Sequence, residues 1–229
     1  MGEVSCSTNT VTGKFSTLYL PPYSAEDFKI ASYKPENGWN EVADIEDGIK
    51  NLAKFINEKK VKAILLPGAA ASPLASALEI LKPKLLVIND KKLIRLRTQN
   101  QTNEIIADNE ELIKEVRCAG NRFFCLDDAI DSGRSLFLIR NAIEEATGIR
   151  ILTGALFLLR NGESVEYDGS KIDFFGKKIP QYKAPSWYFK MLDPEAYDCG
   201  GLESKEEVLK QASEEIALIT RHIIKAGLI

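Results

Sequence analysis

The nine residues from Asp127 to Ser135 combine three carboxylates, two serine hydroxyls and a glycine. Asp127 and Asp128 follow an apolar run that predicts a buried strand, and the carboxyl ends of such strands are where open α/β sheets bind ligands. The residues after Asp131 open a predicted helix, whose free backbone N–H groups suit a phosphate. These residue types predict a sugar-phosphate site, with acids for the ribose hydroxyls and amides for the phosphate. The alternative is an Asp-rich surface loop that caps an ordinary helix.

The elements that must position this motif alternate between short apolar runs and amphipathic stretches. This alternation predicts an α/β fold with a doubly wound parallel sheet. The predicted strands are Ala63–Leu66, Leu85–Ile88, Phe123–Leu126 and Ile151–Leu159.

Helices are predicted over residues 41–59, after an N-cap at Ser72, and from the motif to a stop at Gly148. A capping box at Ser204 opens the last helix. Its apolar stripe is expected in the core or in a subunit interface, and comprises Val208, Ala212, Ile216, Ile219 and Ile223.

The motif resembles the phosphoribosyl-pyrophosphate (PRPP) signature of the type I phosphoribosyltransferases. The matching residues are Asp127, Asp128, Ala129, Ile130, Asp131, Ser132, Gly133, Arg134 and Ser135. The resemblance implies the fold of that family, a doubly wound parallel sheet with a small hood subdomain. It also implies that all nine residues bind PRPP, and that Asp127 and Asp128 orient the ribose hydroxyls and stabilise a developing cation.

Asp131 occupies the variable position of the signature, which carries Asp in the enzymes that act on 6-oxopurines. There the carboxylate would take or relay the N7 proton of the base, so the resemblance implies a catalytic role. A helix N-cap is the alternative for this residue.

Two further segments resemble the pyrophosphate-binding parts of the family. Small residues follow the first predicted strand, so the backbone of Gly68, Ala69 and Ala70 can approach a pyrophosphate closely; a plain tight turn is the alternative. Residues 93–103 resemble the start of the flexible loop, in which Arg97 would reach a pyrophosphate. A solvated strand edge is the other interpretation of that arginine.

The region from Arg160 to Asp193 resembles the base-binding hood of hypoxanthine-guanine and xanthine-guanine enzymes. Arg160 would donate to the O6 carbonyl of the purine, and Trp187 with the adjacent Tyr188 would contact its ring. Asp193, together with Asp127, would hold magnesium, so Mg²⁺ is the expected cofactor.

Composition restricts the classes of function. The 229 residues carry a net charge of −3 with 45% hydrophobic and 28% charged residues, as in a soluble globular protein without a basic footprint for nucleic acid. No apolar run approaches the ~20 residues of a membrane span, and neither a signal peptide nor a C-x-x-C pair is evident, so a cytoplasmic location is expected. A single histidine, His222, disfavours Ser-His or Cys-His chemistry.

The sequence thus predicts a 6-oxopurine phosphoribosyltransferase that acts on PRPP and a purine base as a homodimer or higher oligomer. Its expected parts are an N-terminal arm (1–40), a PRPP-binding core (41–159), the hood (160–203) and a C-terminal helix (204–229). The alternatives are a PRPP-sensing regulator with the same fold, and an enzyme for adenine or a pyrimidine.

Overall fold

A five-stranded, all-parallel sheet forms the centre of the computed structural model of this α/β protein. The structure describes residues 28, 33–34, 39–90, 93, 98–159, 166–167, 170–179 and 204–229. The described strands are β1 (Tyr33–Lys34), β2 (Trp39–Asn40), β3 (Ala63–Pro67), β4 (Leu86–Asp90), β5 (Phe123–Ile130), β6 (Leu152–Leu158), β7 (Glu166–Tyr167), β8 (Ser170–Lys171) and β9 (Phe174–Lys178). The described α-helices are α1 (Glu41–Glu58), α2 (Leu74–Leu81), α3 (Gln99–Ala107), α4 (Glu110–Ala119), α5 (Arg134–Thr147) and α6 (Lys205–Lys225).

The strand order of the main sheet is β4-β3-β5-β6-β9, while β1-β2 and β7-β8 form separate antiparallel pairs. The chain moves from β3 outward to β4, returns across β3 to β5, and then continues in the other direction. The neighbouring strands β3 and β5 therefore flank the point where the strand order reverses. In open α/β sheets, ligands bind outside the carboxyl ends of the strands at that point.

Helices cover both faces of the sheet. Apolar residues of α1, α2 and α6 pack on one face in a cluster that includes Ile64, Leu66, Phe124 and Leu126. Those of α3, α4 and α5 pack on the opposite face in a second cluster. Burial on both sides explains why the central strands are continuously apolar rather than alternating.

The four predicted strands are confirmed with shifted ends, and the main difference is in β5. We expected this strand to end at Leu126 with the two aspartates beyond it, but β5 continues to Ile130. Asp127 pairs with Ala155 of β6, and Ile130 pairs with Leu158. Ladder pairing with β6 outweighs the low strand propensity of aspartate. Asp127 and Asp128 thus lie inside the strand.

The predicted helices are confirmed in outline. Helix α1 matches the expected 41–59, α5 ends at Gly148 with a φ of 69°, and the capping box at Ser204 is formed. The stripe on α6 is buried in the core, as one of its two interpretations required. The N-cap prediction for Ser72 is wrong, because its hydroxyl donates to the carbonyl of Ala69 at 2.7 Å instead.

The expectation of a flexible loop at residues 99–103 is also wrong. These residues form the first turns of α3, where the Thr98 side chain accepts a hydrogen bond from the Gln101 amide. Gln99 Nε2 donates to the carbonyl of Leu138 on α5 at 3.1 Å, and Ile106 is fully buried. Packing against α5 therefore orders a segment whose polar composition suggested a loop.

Regular structure also appears within the region expected to form the hood, because β9 pairs with β6 at the edge of the main sheet. Gly176 of β9 lets α1 approach the sheet closely: an added Cβ would lie 2.7 Å from the carbonyl oxygen of Leu156 and 2.9 Å from that of Gly48. Asn51 Nδ2 donates to the carbonyl of Gly176 at 2.7 Å across the same contact.

Gly176→Ala should lower the free energy of unfolding by about 1–3 kcal/mol, because both close neighbours are backbone atoms that a methyl group would displace. Urea denaturation measures the loss. Lys178→Ala serves as the control, since that side chain is exposed on the same strand and should cost at most about 0.5 kcal/mol. Equal stability of the two variants would contradict this tight packing.

Candidate functional site

The turn between β5 and α5 leaves backbone N–H groups available to a ligand. Gly133 is the N-cap of α5 with a φ of 72°, and the Ser132 hydroxyl accepts from the Arg134 amide at 3.4 Å. Within the described part of the chain, the amides of Ser132, Gly133 and Ser135 donate no hydrogen bond. The first N–H groups of a helix have no partner in their own helix, so this turn can bind an anion.

The turn after β3 offers a second set of amides. Gly68 has a φ of 81°, and its N–H donates to the carbonyl of Asp90 at 2.9 Å, so this amide is already used. In the described residues the amides of Ala69 and Ala70 donate no hydrogen bond, while the carbonyl of Ala69 accepts from the amide of Ser72. The expected contribution of Gly68 is therefore its turn geometry rather than its N–H group.

The register of the sheet brings the two turns together. Leu65 of β3 lies opposite Cys125 of β5, and Gly68 and Asp128 each follow that pair by three residues. Adjacent strands lie about 4.8 Å apart. The turn at Gly68–Ala70, the two aspartates and the turn at 131–135 therefore occupy one edge of the sheet.

The two carboxylates of β5 are withdrawn from water. Asp128 is 2% exposed, Asp127 is partly buried, and the Asp128 amide donates to Asp127 Oδ1 at 3.0 Å. Burial, and secondarily the charge of Asp128, raises the pKa of Asp127 well above its usual range. A positive charge beside this carboxylate would favour its ionised form and so would compete with the proton.

Asp131 lies exposed at the start of the turn, two residues before the N-cap. The alternative in which Asp131 itself caps α5 is wrong, because Gly133 holds that position without any side-chain cap. Asp131 therefore lies at the start of the turn between β5 and α5 without being the N-cap residue.

Cys125 does not contribute a nucleophile at this edge. The side chain is fully buried, and burial followed by the charge of Asp127 raises the pKa of the thiol well above its usual range. A thiol with a raised pKa stays protonated and is inert toward electrophiles and metals.

Two carboxylates of the described residues, those of Asp127 and Asp128, could contribute to a magnesium site that a phosphorylated substrate would complete. The described residues contain no group of three or more acidic, histidine or cysteine side chains that could hold a metal. Magnesium is usually bound through one or two carboxylates together with substrate phosphates. Asp127, with Asp128 beside it, fits that arrangement.

Five of the predicted site residues lie outside the described residues, and their roles remain predictions. They are Arg97, Arg160, Trp187, Tyr188 and Asp193. No helix among the described residues is long and apolar enough to cross a membrane.

Comparison with protein-family models finds no match, and comparison with curated proteins finds none either.

One contact at this edge escaped the sequence analysis. Asn109 Nδ2 donates to Asp90 Oδ2 at 2.8 Å, which connects α4 to the strand whose end accepts the Gly68 amide. The sequence does indicate that Asn109 caps a helix, because Asn followed by Glu110 and Glu111 is typical of a helix N-cap. Its contact with Asp90 has no signal in the sequence.

Asp127→Asn should stabilise the protein at pH 7 and change its stability little at pH 4. The raised pKa means that the folded state binds this proton more tightly than the unfolded state. The free energy of unfolding therefore decreases as pH rises from the ordinary aspartate pKa of about 4 toward the higher pKa of the folded state. Melting temperatures of both proteins at the two pH values measure the difference, and an equal shift at both would contradict the raised pKa.

Proposed function

We propose that this protein is a phosphoribosyltransferase that transfers the 5-phosphoribosyl group of PRPP to N9 of a 6-oxopurine. The products are a nucleoside 5′-monophosphate and pyrophosphate. The observation that carries the proposal is a pair of turns beside two carboxylates at the reversal point of the sheet. Within the described part of the chain, the amides of Ala69 and Ala70 in one turn, and those of Ser132, Gly133 and Ser135 in the other, donate no hydrogen bond. PRPP carries two phosphate-bearing ends on one ribose, and the site offers a separate turn for each.

The chemistry required fits the charges of this edge. The bond between ribose C1 and the pyrophosphate oxygen breaks, the electron pair leaves with pyrophosphate, and the base nitrogen forms the new bond to C1. The ribose becomes cation-like on the way, as in glycoside hydrolysis. Asp127 and Asp128 would bind the ribose hydroxyls and stabilise that charge, because Asp128 is buried and Asp127 is partly buried. Magnesium would enter with the phosphates of the substrate and neutralise the leaving group.

The choice of base depends on Asp131 and on residues of the hood. Asp131 is exposed at the edge where C1 of the ribose would lie between the two turns, and would take the N7 proton. Arg160 would donate to the O6 acceptor, which selects hypoxanthine, guanine or xanthine against adenine. Trp187 and Tyr188 would contact the ring, and Asp193 would hold a magnesium ion.

A second candidate is a PRPP-binding regulator without turnover. The helical structure of residues 99–103 favours this regulator, since a helix anchored to α5 through Gln99 replaces the start of the expected flexible loop. A protein that cannot close over PRPP would bind it without excluding water from the reacting bond. Turnover distinguishes the two candidates.

Gly133→Val should abolish PRPP binding, because the side chain would fill the turn that a phosphate must approach. The matched control is Gly148→Val at the opposite end of the same helix. Gly148 has a similar φ of 69° and an added Cβ meets nothing within 4 Å, so both variants carry the same backbone strain. Calorimetric titration with PRPP and Mg²⁺ should show binding to the control alone. Retained binding by Gly133→Val would exclude this turn as the phosphate site.

Asp131→Ala should lower turnover by about 100-fold or more, the usual scale for a general acid–base group, with a much smaller change in PRPP affinity. The assay is a screen of hypoxanthine, guanine, xanthine, adenine and orotate with PRPP and Mg²⁺. The native protein should use the 6-oxopurines and refuse adenine. PRPP binding with no turnover of any base would favour the regulator, and efficient use of adenine alone would overturn the substrate assignment.

A further inference from the structure

A chain of three hydrogen bonds runs from the start of α4 to the turn after β3. Asn109 Oδ1 accepts from the amide of Leu112 at 3.0 Å, which caps α4. Its Nδ2 donates to Asp90 Oδ2 at 2.8 Å. The carbonyl of Asp90 in turn accepts from the Gly68 amide at 2.9 Å. One side chain thus serves both a helix end and the last residue of β4.

The position of the Asp90 carboxylate matters for an anion at the neighbouring turn. Asp90 pairs with Pro67 at the end of the β3-β4 ladder, next to Gly68. A carboxylate turned toward Ala69 and Ala70 would repel a pyrophosphate. The bond from Asn109 instead holds that carboxylate at the N-terminus of α4, where the helix dipole favours negative charge.

The backbone of the turn depends on the same residue. Gly68 holds a positive φ of 81°, and the N–H bond to Asp90 is the contact that fixes this glycine to β4. The bond from Asn109 to the Asp90 side chain restrains the last residue of β4, and with it the carbonyl that accepts from the Gly68 amide next to Ala69 and Ala70.

We infer that Asn109 is a positioning residue for the anion-binding turn Gly68–Ala70, acting through Asp90. It orients the turn and keeps the Asp90 carboxylate away from the diphosphate. This inference rests on the proposed function, in which that turn binds the pyrophosphate group of PRPP.

Asn109→Ser and Asn109→Asp separate this role from simple capping. Both keep a side-chain oxygen for the Leu112 amide, since serine and aspartate are good N-caps, but both lose the Nδ2 donor. The aspartate also places a second carboxylate beside Asp90. Thr98→Ala is the matched control, because Thr98 caps the neighbouring helix α3 through its side chain. That variant removes a cap without touching Asp90.

The experiment measures the dissociation constant of pyrophosphate with Mg²⁺ by calorimetry, and the hydrogen exchange of the Gly68 amide by NMR. Asn109→Ser should weaken pyrophosphate binding by about 5- to 10-fold, the scale of one hydrogen bond, and Asn109→Asp by more. Both should speed exchange at Gly68 while their melting temperatures stay near that of the native protein. Thr98→Ala should change neither the dissociation constant of pyrophosphate nor the exchange of the Gly68 amide. In steady-state assays the KM for PRPP should rise, whereas the KM for the purine stays constant.

The outcomes separate the proposed function from the positioning role of Asn109. Native protein that does not bind pyrophosphate overturns the proposed function, and this inference with it. Native binding that Asn109→Ser and Asn109→Asp leave unchanged overturns the positioning role alone and reduces Asn109 to a helix cap. Faster exchange at Gly68 with weaker pyrophosphate binding in both variants supports the role.

Discussion

The pairing of β5 with β6 beyond Leu126 holds two carboxylates inside a buried strand. A pair of aspartates would ordinarily end a strand and turn toward water, yet the ladder from Asp127 to Ile130 keeps both in the sheet. Their withdrawal from water raises the pKa of Asp127. Replacing such a residue would make the protein more stable. A site that stabilises positive charge, in contrast, needs a buried carboxylate.

The strand order places this pair of aspartates beside two turns. Because β3 and β5 are neighbours at the reversal of the sheet, the turn at Gly68 and the turn at Gly133 lie beside the same carboxylates. The 62 residues of sequence between Gly68 and Asp131 include α2, β4, α3, α4 and β5. Helices α3 and α4 therefore do more than connect strands: they pack on α5 and supply Asn109 at the edge of the site.

Sequence patterns predicted the local parts of this structure well and the contacts between distant parts poorly. Apolar runs located β3 and β6, and the Ser204 capping box located α6, since these signals are complete within a few residues. The extension of β5 depends on pairing with Ala155 to Leu158 of β6. The helix that begins at Gln99 depends on the hydrogen bond from Gln99 to the carbonyl of Leu138. Neither partner is visible from the local sequence. The Asp-Asp and Ser-Gly pattern did indicate the edge of the sheet at which the two turns lie, because in the proposed function its residue types serve a ligand rather than packing.

The most direct test of the account is a titration of ¹⁵N-labelled protein with PRPP and Mg²⁺, followed by the chemical shifts of the backbone amides. We expect the largest changes at Ser132, Gly133 and Ser135 in one turn and at Ala69 and Ala70 in the other, saturating together with one dissociation constant. Changes centred elsewhere, for example in the groove that Glu79 and Arg221 line between α2 and α6, or no changes at all, would contradict it.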